Sequence, residues 1–80
     1  MHTPSRFETL TKRHALIQER TERFISQLQS LVLLVEADID FEERRTGIFD
    51  STSSNYSTAA RQLRARRDNL TATISRLEGV

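Results

Sequence analysis

The sequence predicts an all-α protein, an antiparallel helical hairpin with a long first helix over about residues 4–46 and a shorter second helix over about residues 54–79. Three observations support this prediction. Apolar residues recur in both segments at alternating steps of three and four, the periodicity of a packed helix. A glycine and a Ser/Thr-rich stretch separate the two segments. No segment alternates apolar and polar residues as a strand would.

The first helix is expected to begin at Thr3-Pro4, because Thr can cap a helix and Pro suits its first position. When Phe7 is counted as position a of a heptad, the apolar stripe and its polar interruptions fall on positions a and d. The a positions are Phe7, His14, Thr21, Leu28 and Val35, and the d positions are Leu10, Ile17, Phe24, Leu31 and Asp38. This spacing is typical of two helices packed as in a left-handed coiled coil.

The apolar surface widens between residues 24 and 41, where positions e, f and g also become apolar. The added residues are Ile25, Val32, Ile39, Leu33, Leu34 and Phe41. A helix that is apolar on every side must be covered from more than one direction. Because one second helix cannot do this, the sequence predicts that another chain also packs on this segment.

The first helix is expected to end at Gly47 in a Schellman motif, with the glycine left-handed and Ile48 folded back onto the last turn. The second helix is expected to begin between Ser53 and Asn55 and to end at Gly79. Its repeating positions are Tyr56, Ala60, Leu63, Arg67, Leu70, Ile74 and Leu77.

A chain of 80 residues without cysteine needs a source of stability besides disulfides, since so small a domain buries only ~60% of its unfolded surface. The first helix is also longer than the second by ~20 Å, which leaves its N-terminal part uncovered. We therefore predict a homodimer in which two hairpins form a four-helix bundle. The predicted interface consists of Phe7, Leu10, Ile17, Phe24, Leu28, Leu31, Leu33 and Leu34.

Charge is unevenly distributed, although the net charge is only +1. Residues 36–50 contain six acidic and two basic side chains, whereas residues 51–80 contain five basic and two acidic ones. In an antiparallel hairpin these segments lie opposite each other, so the charges set the register more than they add stability. The residues predicted to pair are Glu36, Asp38, Asp40, Arg64 and Arg67.

Composition argues against several classes of protein. A net charge near zero gives no general attraction to nucleic acid or to a membrane surface. The longest apolar run, residues 31–35, is too short to span a bilayer, and the N-terminal residues show no apolar secretion signal. We expect a single domain over residues 1–80 that is soluble and cytoplasmic.

The sequence predicts no catalytic, cofactor-binding or metal-binding residues. His14 has no companion ligand at helical spacing, so it is interpreted as a polar residue that sets the register. Glu36, Asp40 and Glu43 share one helical face and are interpreted as a solvated or arginine-paired surface rather than a cation site. No set of nucleophile, base and orienting residue is present, so we expect no enzymatic activity.

The sequence therefore favours a structural or protein-interaction module, such as an adaptor, assembly factor or small regulatory partner, that acts through a long apolar helix face. The expected partner is a second copy of the chain or another helical protein. The alternative is a nucleic-acid-associated protein that uses the basic segment from Arg61 to Arg67. The nearby acidic residues weigh against this alternative, because they would neutralise much of the segment.

Overall fold

The computed structural model describes residues 6–79, with side chains from residue 9 onward. It contains two antiparallel helices, α1 (Arg6–Thr46) and α2 (Thr58–Glu78), and no strand among the described residues. The predicted all-α hairpin is confirmed. The predicted helix start at residue 4 and the side chain of Phe7, the first residue of the predicted interface, lie outside the described part.

Helix α1 ends at a left-handed glycine, as the sequence predicted. Gly47 has a φ of 72°, and its N–H donates to the carbonyl of Glu43 at 2.8 Å. The N–H of Ile48 donates to the hydroxyl of Thr46 at 3.3 Å instead of reaching back to a helix carbonyl. The termination is therefore the simpler αL motif rather than the predicted Schellman motif.

Helix α2 begins later than predicted, because residues 50–56 form two local turns. The N–H of Ser53 donates to the carbonyl of Asp50, and the N–H of Tyr56 donates to the carbonyl of Ser53. The serine, threonine and aspartate side chains that are common in such turns compete with helix formation, because they form hydrogen bonds to nearby backbone groups. The N-cap is Ser57, whose hydroxyl accepts from the N–H of Ala60 at 3.2 Å.

The two helices pack through what we call the inner face of α1. This face consists of the buried and half-buried residues Thr21, Ile25, Leu28, Val32, Val35, Ile39 and Thr46, all at positions a and e. On α2 the matching residues are Ala60, Leu63, Leu70, Ile74 and Leu77. The core is one layer thick, and Ala60 is its only completely buried residue among those described.

The observed contact differs from the predicted one, which used positions a and d. Phe24 and Leu31, both at position d, are exposed instead of facing α2. A contact through position d would also desolvate Asp38, whereas a contact through position e buries Ile39 in its place. The cost of burying a carboxylate therefore explains why α2 packs on the a/e side.

The hairpin is long and thin, measuring 70 × 18 × 12 Å, with a radius of gyration of 20.1 Å. Helix α2 ends beside Thr21, where Leu77 and Glu78 line an open groove of about 410 Å³. The side chains of residues 10–20 are all exposed, so this arm of α1 has no intramolecular cover. None of the helices within residues 6–79 combines the length and apolar character needed to cross a membrane.

Candidate functional site

The largest unpaired feature is an exposed apolar stripe on α1, which we call the outer face. It consists of Leu10, Ile17, Phe24, Leu31, Leu34 and Phe41, whose exposed fractions range from 38% at Leu31 to 65% at Phe41. These residues occupy positions d and g of the heptad, at steps of seven and, from Leu31 to Leu34, of three, and the polar residues Gln27 and Asp38 stand at the intervening positions. The outer face lies about 100° around the helix from the inner face.

Two further exposed leucines on α1 lie off the outer face. Leu33 occupies position f and is 67% exposed, although the sequence placed it in the interface. It borders a shallow groove beside Val32 and Ile74, about 100° around the helix from Leu34. Leu16, at position c, is also exposed and was not among the residues that the sequence predicted for the interface.

Leu28, the remaining member of the predicted interface, is buried in the inner face. It therefore serves the intramolecular contact. The structure places the described members of the predicted interface at different positions around α1, with Leu28 on the inner face, Leu33 off both faces and the others on the outer face.

The outer face also contains charges at heptad positions. Asp38 stands at position d, and Arg13 and Arg20 stand at position g of the N-terminal arm. None of the three side chains forms an ion pair within residues 9–79, and all are exposed. Their charges are therefore available to an external partner.

A second feature, the turn cluster, closes the opposite end of the hairpin around Glu43, Tyr56 and Arg64. The hydroxyl of Tyr56 donates to Oε2 of Glu43 at 3.0 Å and accepts from Nε of Arg64 at 2.8 Å. Nη2 of Arg64 also reaches Oε2 of Glu43 at 3.3 Å. Glu43 is 9% exposed and Tyr56 is buried, so these three hydrogen bonds form where water is largely excluded, and no buried side-chain polar atom within the described residues lacks a partner.

Glu42 extends the turn cluster toward the N-cap of α2. Its Oε2 accepts from Nη2 of Arg45 at 2.7 Å and from the hydroxyl of Ser57 at 3.1 Å. The hydrogen bond from Arg45 is the main cause that lowers the pKa of Glu42. The phenol of Tyr56, followed by Glu43, raises the pKa of Arg64 above its already high value. These contacts fix α1, the loop and α2 to one another.

The charged residues that were predicted to set the register of the hairpin have other partners in the structure. Arg64 bonds to Glu43 across the hairpin, whereas Asp40 pairs with Arg44 one turn along α1 at 3.0 Å. Arg67 pairs with its neighbour Asp68. Within the described residues, Glu36 and Asp38 form no ion pair. Only one of the five predicted charges therefore bridges the two helices.

Sequence reasoning missed Tyr56 and Glu43 as the centre of the turn cluster. Tyr56 was placed as the first apolar residue of the second helix, and Glu43 as part of an acidic surface. A usable signal was present, since a lone tyrosine close to several arginines and carboxylates is expected to use its hydroxyl when it is buried.

The arginines of the basic segment differ in their availability. Arg61 and Arg64 both lie over the ring of Tyr56, with the guanidinium carbon 5.6 Å from the ring centre. Arg67 is half-buried beside Asp68, and Arg66 is exposed. The segment therefore does not present four equivalent free cations to a phosphate backbone.

The structure separates the remaining candidate residues. His14 is exposed at the open groove beside Ile17 and Thr21, and Glu43 belongs to the turn cluster. No group of three or more histidine, cysteine or acidic residues is placed to hold a metal ion in the part of the chain that the structure describes.

Comparison of the chain with protein-family models, with curated proteins and with solved structures finds no match. The functional argument therefore depends on the geometry of the two features. The turn cluster has its polar groups paired internally, whereas the outer face leaves both its apolar surface and its charges unpaired.

Proposed function

We propose that this protein is a non-enzymatic interaction module that uses the outer face of α1 to bind a helical partner, in the first place a second copy of itself, in a four-helix bundle. The observation that carries the proposal is the stripe from Phe24 to Phe41. It repeats at coiled-coil spacing on a helix whose other apolar face is already occupied by α2.

The exposed area supports this proposal. A compact monomer of 9.3 kDa exposes roughly 5,000 Å². This chain exposes 6562 Å², an excess of about 1,500 Å². A standard protein interface buries about 800 Å² on each partner, so covering one broad side of the hairpin accounts for about half of the excess.

The apolar gain from covering the outer face is large for so small a chain. Its leucine, isoleucine and phenylalanine side chains are each worth roughly 1.5–3 kcal/mol when fully buried. The folding stability of a small domain is itself about 5–15 kcal/mol. Burial of only part of this stripe would therefore change the stability of the protein substantially.

Sedimentation equilibrium at increasing protein concentration tests the proposal. We expect the mass to rise from 9.3 kDa toward twice that value. The variant Phe41→Lys places a charge in the outer face and is expected to shift the curve toward the monomer. The control Ser26→Lys adds the same charge at an exposed f position of α1, away from both faces, and is expected to behave as the wild type.

A wild-type protein that stays at 9.3 kDa over the whole range would overturn the four-helix bundle. Equal effects of Phe41→Lys and Ser26→Lys would overturn the role of the outer face, since a general effect of added charge would then explain both.

The nucleic-acid alternative is less well supported, because Arg64 and Arg67 already have acidic neighbours. If it were correct, binding to a mixed-sequence DNA or RNA duplex would weaken steeply with salt. It would also be lost in Arg61→Gln and Arg66→Gln, the two exposed arginines of the segment. Absence of binding to either duplex at low salt would remove this alternative.

A further inference from the structure

We infer that the partner on the outer face is a second copy of this chain, antiparallel to the first, in one register that places Asp38 against the partner's Arg20. The inference rests on the proposed function, in which the partner is first of all a second copy, and adds to it the direction and the alignment. Its grounds are the angle between the faces, the distribution of charge and the layers of the heptad.

The angle between the inner and outer faces is that of a corner in a square bundle. The two faces lie about 100° apart around α1. In an antiparallel pair of α1 helices, the two-fold axis is perpendicular to the plane that contains them. The two α2 helices then lie on the same side of this plane, next to each other. The result is a bundle with four helices at the corners of a square, in which both copies use the same surface for their contact.

The distribution of charge along α1 favours the antiparallel direction. Residues 36–43 contain five acidic side chains and no basic one, whereas residues 9–23 contain four basic and two acidic ones. An antiparallel copy places its acidic segment along the partner's arm, which holds the unpaired Arg20 beside Glu19 and Glu22. A parallel copy would instead place the two acidic segments together, and like charges opposite each other oppose association.

The heptad layers then select the alignment. In an antiparallel coiled coil, each d residue of the outer face is layered with a g residue of the partner. When residue 29 lies opposite the partner's residue 29, Phe24 meets the partner's Leu34, and Ile17 meets the partner's Phe41. In the same alignment Leu31 meets the partner's Gln27. Asp38 meets the partner's Arg20, so two unpaired charges of this face neutralise each other, whereas Arg13 meets the partner's Arg45, which already pairs with Glu42.

A shift by one heptad in either direction is less favourable. In one direction Asp38 loses Arg20 and meets the partner's Gln27, and Ile17 falls opposite the loop rather than α1. In the other direction Leu31 lies opposite the partner's Arg20, and Phe24 meets an amide. The chosen alignment also covers most of the exposed N-terminal arm, because residues 12–20 lie along the C-terminal half of the partner's α1, whereas Leu10 falls opposite its loop.

Charge reversal tests this alignment in the full chain. The variants Asp38→Arg and Arg20→Asp each place like charges in two symmetric layers, so each is expected to weaken dimerisation about tenfold or more. An equimolar mixture of the two variants restores opposite charges in both layers. We expect the mixture to form a heterodimer with an affinity within about threefold of the wild type. The double variant, which carries both substitutions in one chain, is expected to recover in the same way.

Cysteine cross-linking provides a second test that does not depend on charge. The chain contains no cysteine, so new ones are the only thiols present. A mixture of Phe24→Cys and Leu34→Cys is expected to form a disulfide-linked heterodimer under mild oxidation. Neither variant alone is expected to do so, because its two thiols would lie ~15 Å apart along the bundle, beyond the reach of a disulfide.

The outcomes separate this inference from the proposed function. One outcome is that sedimentation shows a dimer while the charge mixture shows no rescue and Phe24→Cys does not cross-link to Leu34→Cys. That combination would overturn the alignment and leave the interaction module standing. Cross-linking of Phe24→Cys with Phe41→Cys instead would identify the register shifted by one heptad and overturn the one inferred here. A monomer at every concentration would overturn both.

Discussion

The inner and outer faces of α1 have the same heptad spacing but different side chains. The inner face is aliphatic, with Leu28, Val35 and Ile39 buried against a helix that presents the small residue Ala60. The outer face contains Phe24 and Phe41, both largely exposed. A small residue such as Ala60 allows a short distance between helix axes, which suits branched aliphatic side chains. Phenylalanine rings need a larger distance between helix axes, such as arises when both helices present large side chains.

The comparison separates a face that already forms a contact from one for which we propose a second contact. The inner face forms the hairpin within the chain, and its register is fixed at one end by the turn cluster. The outer face has charges in place of such a cluster, and these charges have no partner within the described residues. The predictions below separate the two faces by the size of their effects and by their dependence on protein concentration.

The largest effect is expected when the inner face loses a buried side chain. Ile39→Ala should lower the free energy of unfolding by about 2–4 kcal/mol at every protein concentration, because the cavity lies within one chain. Phe41→Ala should have little effect in dilute solution and a growing effect as concentration rises. Urea denaturation at low and high protein concentration measures both. Equal concentration dependence of the two variants would contradict the division into an inner and an outer face.

The turn cluster should show the next largest effect. Tyr56→Phe removes one hydroxyl that both donates to Glu43 and accepts from Arg64, so the free energy of unfolding should fall by about 1–2 kcal/mol. Denaturant unfolding of Tyr56→Phe, Glu43→Gln and the double variant measures the coupling between the two residues. Strictly additive losses would mean that the two side chains act independently, contrary to the geometry.

The N-cap of α2 should contribute somewhat less. Ser57→Ala removes the hydroxyl that accepts from the N–H of Ala60 and donates to Glu42, and we expect a loss of about 1 kcal/mol. Ser54→Ala, at an exposed residue of the same loop, is the matched control and should leave the melting temperature unchanged. A loss in the control as large as that in Ser57→Ala would point to the loop rather than the cap.

The smallest effect on stability is expected when the pH is lowered. Because the pKa of Glu42 is lower in the folded chain than in the unfolded one, its ion pair stabilises the fold above the ordinary carboxyl pKa of about 4.3. This contribution is lost as the pH falls through the lowered value. Thermal melting between neutral and acidic pH should therefore show a decline that is shallower in Glu42→Gln. An unchanged slope in that variant would show that Glu42 does not contribute.

The sequence predicted the helix type, the left-handed glycine at residue 47 and the exposed arm, since each follows from local periodicity or from a single residue. It did not predict which stripe faces α2. Positions d and e are both apolar between residues 24 and 32, so the pattern alone allows either. The choice depends on Asp38 at position d and Ile39 at position e, two turns further on, and the cost of burying a carboxylate enters only when the partner helix is placed.

The turn cluster was missed for a different reason. Its residues are far apart in sequence and meet only because the loop forms two turns before Ser57, which delays α2 and brings Tyr56 into the core. The Ser- and Thr-rich composition indicated a turn but not its length. The predicted start near residue 54 would have made Tyr56 part of the helix.

The central claim is that α1 has two separate apolar faces, of which the outer one binds a second chain. Leu33 and Leu34 test it most directly, because they are neighbours with similar exposed fractions, 67% and 63%, and only Leu34 lies on the outer face. Sedimentation equilibrium should show that Leu34→Lys is shifted toward the monomer, whereas Leu33→Lys associates as the wild type does. Equal shifts in both variants, or a shift in Leu33→Lys alone, would contradict the claim.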